Sequence, residues 1–323
     1  MRRILLIATL TLVTLLSSCR YKDLCYDHDH DPDYNLYLKL ELQLELDEDL
    51  DVSDEAHTKI NIPTYMVVQF YDTLSGALKE TEYVGPYGGP LQVAPGTYDM
   101  VVYAFDTEWT QERGESNIST LEAYTSDITS MKSPLFMQAA KTDTVAPGPI
   151  IYTPDHLLVT RKRVEIPPYR FGGEVITITA TASTIIETYA FEVPNVAGVE
   201  YVSSVEAFVT NQAQSNFFGR GQLNTDPATI YFPLEVNRKE KLLETTFNTF
   251  GKLPGESHSF LNIVIFDSQG KPYTVVTDIT EQFEDTAHII VISDTIIIPA
   301  PAGGGIAPTV EEWEEINHDM PIG

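Results

Sequence analysis

Cysteine is scarce in this chain of 323 residues, which contains two, Cys19 and Cys25. Two cysteines are too few for the disulfide framework that stabilises many small secreted domains. The chain is long enough for about two domains, and a chain of this size can bury substantial hydrophobic cores. Its stability must therefore come from the packing of apolar side chains.

Basic residues are also few. Lys and Arg together number 20 against 47 Asp and Glu, which gives a formal net charge of −27. A chain of this charge repels the phosphates of nucleic acids and the surface of an anionic membrane. The composition therefore predicts no nucleic-acid partner and no flat attachment to an anionic membrane.

The apolar run at the N-terminus is too short to span a membrane. Residues 4–16 form an uncharged apolar stretch of 13 residues, whereas spanning a bilayer takes about 20. It follows Arg2 and Arg3 and ends in Leu16-Ser17-Ser18-Cys19, the arrangement of a cleaved secretory signal. This ending resembles the lipobox of bacterial lipoproteins, which implies removal of residues 1–18 and acylation of Cys19. An ordinary secretory signal with a chance cysteine is the alternative.

Catalytic motifs are missing. The chain has no His-Glu-x-x-His, no Gly-x-Ser-x-Gly and no glycine loop of the phosphate-binding type, which are motifs with defined chemistry. Ser257-His258-Ser259 lies beside a Pro-Gly turn and is interpreted as the edge of a strand. We predict a protein that is not an enzyme, although 47 acidic residues leave open a hydrolase with a hidden carboxylate pair.

A cluster of Asp and His at residues 27–33 is the segment richest in metal ligands. Alternate residues of an extended chain point to opposite sides, and this segment has no surrounding structure to orient ligands. We interpret it as a solvated acidic spacer and predict no metal and no cofactor. With Cys19 lipidated, Cys25 would have no partner within the chain.

Strict alternation marks the segment that follows. Leucine occupies every second position from 36 to 46, with polar or amphipathic residues between. Period two is typical of a strand buried on one face, whereas a helix would spread these leucines around its circumference. The sequence therefore predicts a half-buried β-strand.

Further β-rich segments recur along the chain and are separated by turn residues. Leu74-Ser75-Gly76 and Gln269-Gly270-Lys271 predict turns, and Pro95-Gly96 predicts a hairpin between residues 91–93 and 97–105. Strands at this spacing favour β-sandwiches over α/β units. We therefore predict an all-β fold.

The expected organisation has five parts. Proline-rich connections at Pro147, Pro149 and Pro154 place the boundary between two sandwich domains near residue 155. The parts are a signal peptide at 1–18, a lipidated tether at 19–33, an N-terminal β-sandwich at 34–155, a C-terminal β-sandwich at 156–299 and a flexible acidic tail at 300–323.

Several segments resemble a known family. Four segments carry the resemblance. They are the stretch from Arg20 through Asp23-Leu24-Cys25-Tyr26-Asp27-His28, the hairpin at 93–104, the strand and turn at 205–217, and the tail with Gly303-Gly304-Gly305 and Trp313. These segments are similar to lipoproteins related to fimbrillins, the subunits of Bacteroidales (type V) pili. The resemblance implies two tandem transthyretin-like (Greek-key) sandwich domains. It also implies a cell-anchored role at a pilus, with other fimbrial subunits as partners and with no catalytic residues.

The resemblance also bears on maturation. Fimbrillin shaft subunits are typically cleaved after an Arg beyond their first strand, which frees a groove for a neighbour's donor strand. Here no Arg lies between Arg20 and Arg113, and residues 47–61 offer only Lys59. We therefore expect the chain to keep its first strand and its lipid, as a lipid-anchored protein of the outer membrane at the cell surface.

Two further expectations remain open. A surface glycan-binding lipoprotein is the alternative function, and it would need exposed aromatic platforms, for which only Trp109 and Trp313 lie in loop-like contexts. Separately, Asp-Thr pairs resemble the Bacteroidetes O-glycosylation signal, with ordinary turn residues as the alternative explanation. The candidate O-glycosylation sites are Thr73, Thr144, Thr286 and Thr295.

Overall fold

The computed structural model describes residues 35–45, 60–104, 107–128, 148–168, 175–253, 258–283 and 288–300. These residues form β-strands with connecting turns and one short 3-10 turn at Val199–Tyr201, which confirms the predicted all-β class. The strands are β1 (Leu36–Leu42), β2 (Met66–Asp72), β3 (Leu78–Val84), β4 (Gly88–Leu91), β5 (Gly96–Ala104), β6 (Gln111–Arg113), β7 (Glu122–Tyr124), β8 (Ile150–Tyr152), β9 (Leu158–Ile166), β10 (Ile176–Thr184), β11 (Glu187–Val193), β12 (Val202–Ala213), β13 (Ser215–Phe217), β14 (Gln222–Leu223), β15 (Pro227–Pro233), β16 (Glu235–Asn237), β17 (Leu242–Thr249), β18 (Phe260–Asp267), β19 (Pro272–Asp278) and β20 (Ile289–Val291).

The N-terminal sandwich is one sheet folded on itself. Its strand order is β3-β2-β5-β9-β10-β1-β4. β9 and β10 meet at only two residue pairs, Ser183 with Val159 and Thr184 with Leu158, so the sheet turns a corner there. Apolar residues from both halves of the sheet belong to one hydrophobic core, as expected for two layers packed face to face.

The C-terminal sandwich has two separate layers. One is a four-stranded sheet of order β16-β17-β11-β20, and the other is a five-stranded sheet of order β19-β18-β12-β15-β8. Alternate residues of β12, β15 and β18 point between the layers and form the second core, as Ala207, Ile230 and Ile263 illustrate. This alternation is the period-two pattern of strands with one face in a core.

A small fourth sheet joins the two sandwiches. The β13–β14 hairpin lies between β12 and β15 in the chain, yet β13 pairs with β7 from the N-terminal half, in the sheet order β14-β13-β7-β6. Phe218, just after β13, packs in the core of the N-terminal sandwich with its ring 5.0 Å from that of Tyr103. The two sandwiches are therefore fastened together by residues from both halves of the chain.

The sheets differ from the domain boundary expected near residue 155. β8, before that position, pairs with β15 in the C-terminal sandwich, whereas β9 and β10, after it, complete the N-terminal sandwich. The chain therefore crosses to the C-terminal sandwich, returns, and leaves again after β10. The proline-rich run therefore lies where the chain passes from the C-terminal sandwich back to the N-terminal one. The next strand, β9, pairs there with β5, which lies much earlier in the sequence.

The Pro95-Gly96 hairpin prediction is wrong. β4 pairs with β1, and β5 pairs with β2 and β9, so the turn carries the chain from one layer to the other. The Gln269-Gly270-Lys271 prediction is confirmed, because β18 and β19 pair on either side of that turn. The Leu74-Ser75-Gly76 turn likewise joins the paired strands β2 and β3.

Candidate functional site

Most of the predicted modification sites lie outside the described residues. These are the lipidation site Cys19 with its tether and the candidate glycosylation sites Thr144 and Thr286. Trp313 in the tail also lies outside the described residues. Thr295 is described and exposed. Lipidation and glycosylation therefore stay predictions.

Thr73 lies in the turn between β2 and β3. The carboxylate oxygen Oδ1 of Asp72 accepts hydrogen bonds from the backbone N–H groups of Leu74 and Ser75, at 3.2 and 2.7 Å. Leu74 is 96% exposed, so the turn projects into solvent. Asp72 therefore has the structural role of an Asx turn, and the neighbouring Thr73 is half-buried.

β1 buries one face almost completely. Leu36 and Leu38 are fully buried and Leu40 is 3% exposed, whereas Lys39 and Glu41 lie on the exposed side. This is the pattern that the alternating leucines predicted. The strand thus supplies three leucines to the core of the N-terminal sandwich.

Neighbours on both sides hold β1 in place. β10 runs parallel to it along the whole strand from Leu36 to Leu42, and β4 runs antiparallel on its other side. Just before the strand, the side-chain amide of Asn35 donates to the carbonyl of Val93 at 2.7 Å and accepts from the N–H of Val93 at 3.0 Å. β1 is therefore an interior strand of its sheet.

The contact between β4 and β1 depends on a glycine. Gly88 has a φ of +95°, and a Cβ atom there would lie 2.0 Å from the carbonyl oxygen of Leu38. A side chain at this position would push β4 away from β1 and would also be strained in the left-handed region. Gly88 is therefore specifically required for β1 to sit between its two neighbours.

The ends of the sheets are the places where another chain could add a strand. Among the described strands, two sheet edges are seven residues long, β3 and β19, and the other edges have four residues or fewer. β3 carries Lys79, Glu80 and Glu82, charges of the kind that oppose strand addition. β19 carries one charge, Asp278 at its end, so it is the edge best suited to strand addition.

Hydrogen bonds hold both ends of β19. The carboxylate of Asp267 accepts from the backbone N–H groups of Gln269 and Lys271 at 2.8 and 2.9 Å, which lowers the pKa of this carboxyl. At the other end, Asp278 accepts from Thr280 and pairs with His258 at 2.9 Å. The edge of β19 is thus held in shape before any partner arrives, which reduces the entropic cost of binding.

A buried carboxylate organises the small fourth sheet. Arg113 forms a bidentate ion pair with Glu122, with N···O distances of 2.6 and 2.9 Å. Ser215 also donates to Glu122, and Asn224 donates to Ser215 at 2.9 Å. Burial opposes ionisation, but the hydrogen bonds from Arg113 and Ser215 outweigh it and lower the pKa of Glu122. This network joins β6 and β7 to the β13–β14 hairpin.

A half-buried histidine lies where the two sandwiches meet. Nδ1 of His156 is 3.2 Å from the hydroxyl of Thr184, and Nε2 is 3.3 Å from the hydroxyl of Thr188. Because Thr188 donates its hydrogen to Asn248 at 2.8 Å, it accepts from Nε2–H, which fits a neutral imidazole. Burial lowers the pKa of His156, opposed in part by the charge of Asp155.

The pKa of Glu112 is shifted upwards, whereas that of His156 is shifted downwards. Burial raises the pKa of its carboxyl to about 7, opposed by a hydrogen bond with Tyr103 and reinforced by the charge of Glu115. The hydroxyl of Tyr103 is itself buried, and burial raises its pKa strongly. Sequence patterns gave no signal for Glu112 or for His156, because burial is the largest cause of both pKa shifts and burial depends on the fold.

Trp109 lies in a loop, the context expected for it from the sequence. It is 44% exposed, its ring lies 4.7 Å from that of Tyr152 at an angle of 39°, and Tyr152 is half-buried. Asp155 fixes the turn by accepting from the N–H groups of Trp109 and Thr110 at 2.5 and 2.8 Å. The two rings do not form the flat exposed platform that a glycan-binding alternative would require.

The described ranges contain neither a metal-ligand group nor a membrane-spanning helix. Within them, no group of three or more His, Cys, Asp or Glu is arranged to hold a metal ion. The Asp and His cluster at 27–33 lies outside these ranges. No helix in the described part of the chain has the length and apolar character needed to cross a membrane.

The sequence of this chain is similar to a protein family and to a curated protein. Residues 18–233 match a protein family described as "Domain of unknown function (DUF5119)". A Bacteroides ovatus protein named "Putative fimbrium anchoring subunit Fim4B" is 26% identical over 189 residues, which cover 58% of this chain and 52% of that protein. The chain thus spans about half the length of this curated relative.

One solved structure has the same architecture. A crystal structure described as "a putative adhesin" from Bacteroides ovatus superposes with a TM-score of 0.61 at 20% identity, covering 88% of this chain and 98% of that one. This similarity shows a shared fold. The fimbrial anchor protein Mfa2 from Porphyromonas gingivalis gives a TM-score of 0.43 at 12% identity, covering 79% of this chain and 87% of that one.

Proposed function

This chain belongs to the family described as a domain of unknown function, DUF5119, and we propose that it is a non-catalytic lipoprotein of the cell envelope that serves as the anchor or a minor subunit of a fimbrium. Its sequence similarity to a protein named as a fimbrium anchoring subunit, over 58% of the chain, carries this proposal. The all-β architecture shared with an adhesin structure supports it.

The position of β1 supports an anchor over a shaft subunit. A shaft subunit of the fimbrillin type gives up its first strand after cleavage at an Arg. Here β1 is an interior strand with Leu36 and Leu38 fully buried, and residues 47–61, which precede the next strand, contain no Arg. A chain that keeps this strand remains continuous with its N-terminal tether.

Lipid on Cys19 would hold the protein at the outer membrane. Each buried acyl CH₂ contributes about 0.8 kcal/mol, so several chains hold firmly. Wild type and Cys19→Ala should be labelled in cells with a radioactive fatty acid, and only the wild type should incorporate it. Equal incorporation by both proteins would contradict lipidation at this residue.

Strand addition at β19 would join the anchor to the next subunit. An edge strand offers unpaired backbone groups to another chain, and alternate side chains of the added strand provide specificity. Val276, 37% exposed on β19, and Tyr83, 63% exposed on β3, allow a matched test. Val276→Glu should reduce the recovery of fimbrial subunits with the immunoprecipitated protein at least tenfold, whereas Tyr83→Glu should not. Equal recovery with both variants would argue against β19.

The anchoring role has a direct cellular test. Deleting the gene should release pili into the medium or change their length, while synthesis of the subunits continues. Complementation with the wild-type gene should restore cell-bound pili. Pili that remain cell-bound and unchanged in length after deletion would refute the anchor function.

A further inference from the structure

The small fourth sheet covers the outer face of two strands of the N-terminal sandwich. On β2 and β5, Gln69, Tyr71 and Tyr103 alternate with residues that point between the two layers, yet none of the three is more than 1% exposed. Leu121, just before β7, and Phe218, just after β13, belong to the same buried cluster as the two tyrosines. The fourth sheet is therefore a third layer, packed on the outside of β2 and β5.

Polar groups meet inside this layer contact. The hydroxyl of Tyr71 lies 2.6 Å from Oε1 of Gln69 and 3.2 Å from the backbone carbonyl of Glu115, which follows β6. Glu112 on β6 has a side-chain hydrogen bond with the hydroxyl of Tyr103. The contact thus contains two phenols, one amide and one carboxyl, and the carboxyl is the group among them that changes charge near neutral pH.

The cations on the neighbouring elements are directed away from Glu112. Arg113 points to the opposite face of the fourth sheet, as alternate residues of a strand do, and forms its ion pair there. Arg220, in the β13–β14 turn, lies over the aromatic ring at the end of β13. Arg161 of β9 donates to a backbone carbonyl of the same turn at 2.9 Å, and Lys79 of β3 is exposed. Among the described residues, none of these cations offsets a negative charge on Glu112.

The contact therefore favours the neutral form of Glu112. Burial raises the pKa values of Tyr71 and Tyr103 strongly, so both hydroxyls stay protonated. Burial also raises the pKa of Glu112 to about 7, and the charge of Glu115 adds to this shift. A carboxyl whose pKa is higher in the packed layer than in an exposed one binds its proton more tightly when the layer is packed. Packing is therefore strongest in acid and weakens as the pH rises towards 7 and above.

We propose that the fourth sheet is a pH-sensitive clasp between the two sandwiches, which Glu112 closes when it is protonated against Tyr103 and loosens when it is ionised. The clasp connects the sandwiches because β7, beside β6 in this sheet, pairs with β13 of the C-terminal half. Loosening of β6 and β7 weakens that connection, so the joint between the sandwiches is stiffer in acid than in alkali. This property belongs to the fold and does not depend on the fimbrial function proposed above.

Hydrogen exchange of the full-length protein in detergent, followed by mass spectrometry at pH 6 and pH 8, tests the clasp. Wild type is compared with Glu112→Gln, a neutral side chain of the same shape, and the ratio of their exchange rates at each pH removes the intrinsic effect of pH on exchange. For peptides covering residues 111–124 this ratio should rise about tenfold from pH 6 to pH 8. For peptides of β18, in the other sandwich, it should stay constant. The control Glu108→Gln, which removes an exposed carboxylate, should behave as the wild type does.

Three results would overturn the proposal. A ratio that does not change with pH would show that Glu112 does not control the packing of the fourth sheet. An equal rise in the β18 peptides would show that the whole molecule, and not the clasp, responds to pH. Loss of the pH effect in Glu108→Gln would show a general effect of charge. The wild type alone provides a second measurement, because its exchange divided by the intrinsic rate at each pH should rise about tenfold in residues 111–124, whether or not the Gln variant folds.

Discussion

Truncation of Leu38 to alanine tests whether β1 is a permanent part of the core. Leu38 is fully buried at the middle of β1, between the equally buried Leu36 and the nearly buried Leu40. Replacing a buried leucine by alanine removes transfer free energy and leaves a cavity, at a cost of about 2–5 kcal/mol. Strands lie on both sides of β1, which limits collapse around the cavity, so we expect a loss in the upper half of that range.

The matched control is the next residue in the same strand. Lys39 lies on the exposed side of β1, so Lys39→Ala should change the free energy of unfolding by less than about 0.5 kcal/mol. Urea unfolding of wild type and both variants, followed by far-UV circular dichroism, gives the comparison. If Leu38→Ala lost less than about 1 kcal/mol, or no more than Lys39→Ala, the conclusion that β1 is a built-in core strand would be wrong.

The same magnitudes indicate what loss of the whole strand would do. Burial of a leucine contributes about 1.5–3 kcal/mol, so the three leucines of β1 contribute about 5–9 kcal/mol together. A folded domain is stable by about 5–15 kcal/mol in total. A chain without residues 36–45 should therefore leave the N-terminal sandwich largely unfolded unless another strand replaces β1, and protease digestion would show it.

Three further predictions concern the buried polar groups and the surface. In urea titrations, Glu122→Gln should lower the free energy of unfolding by about 2 kcal/mol. The control variant Arg163→Gln, which breaks an exposed ion pair, should lower it by less than about 1 kcal/mol. Equal losses in the two variants would show that burial does not strengthen the Glu122 ion pair. Because the pKa of His156 is lowered in the folded protein, the unfolded state takes up this proton first as the pH falls. His156 therefore reduces stability below about pH 6.5. Glu112, whose pKa is raised to about 7, has the opposite effect and adds stability as the pH falls through that value. Relative to wild type, the melting temperature should therefore rise on acidification in His156→Gln and fall in Glu112→Gln, and profiles parallel to that of the wild type would refute these assignments. Thr73→Ala should reduce the intact mass of natively expressed protein by one glycan, and a wild-type mass explained by peptide and lipid alone would rule glycosylation out.

Sequence periodicity identified the local elements well. The alternating leucines predicted β1 and its buried face, and Gln269-Gly270-Lys271 predicted the hairpin that presents β19. Both signals lie within a few adjacent residues, where backbone geometry and side-chain direction are set locally. The general all-β class follows from the repetition of such signals.

Long-range pairing could not be predicted in the same way. Pro95-Gly96 correctly predicted a turn but not its outcome, because a turn between two layers and a turn within a hairpin use the same residue types. β1 pairs in parallel with β10, whose first residue, Ile176, lies far along the chain, and nothing near either strand specifies the other. The pairing of β8 with β15 and of β9 with β5, on either side of residue 155, likewise depends on contacts that local signals do not specify.

Among the buried polar groups, too, some features are signalled by the local sequence and others depend on the fold. Glu122 lies between the buried residues Leu121 and Ala123, and a carboxylate inside such an apolar stretch is a signal that a buried partner is needed. The identity of its partners, from β6 and from the β13–β14 hairpin, depends on the fold. His156 has no comparable signal, because its partners Thr184 and Thr188 lie on two strands, β10 and β11.

The parallel pairing of β1 with β10 has a mechanical consequence. The N-terminal end of β1 continues towards the predicted membrane tether, and the C-terminal end of β10 continues through Ile185 and Ile186 into the C-terminal sandwich. Tension between the tether and that sandwich pulls the two strands in opposite directions along their length. Parallel ladders have evenly spaced hydrogen bonds, so the bonds along β1 would carry the load together in shear and would not open one after another. Single-molecule stretching from the two ends would measure this resistance, which the proposed fimbrial anchor would need in order to bear the drag on an extended appendage.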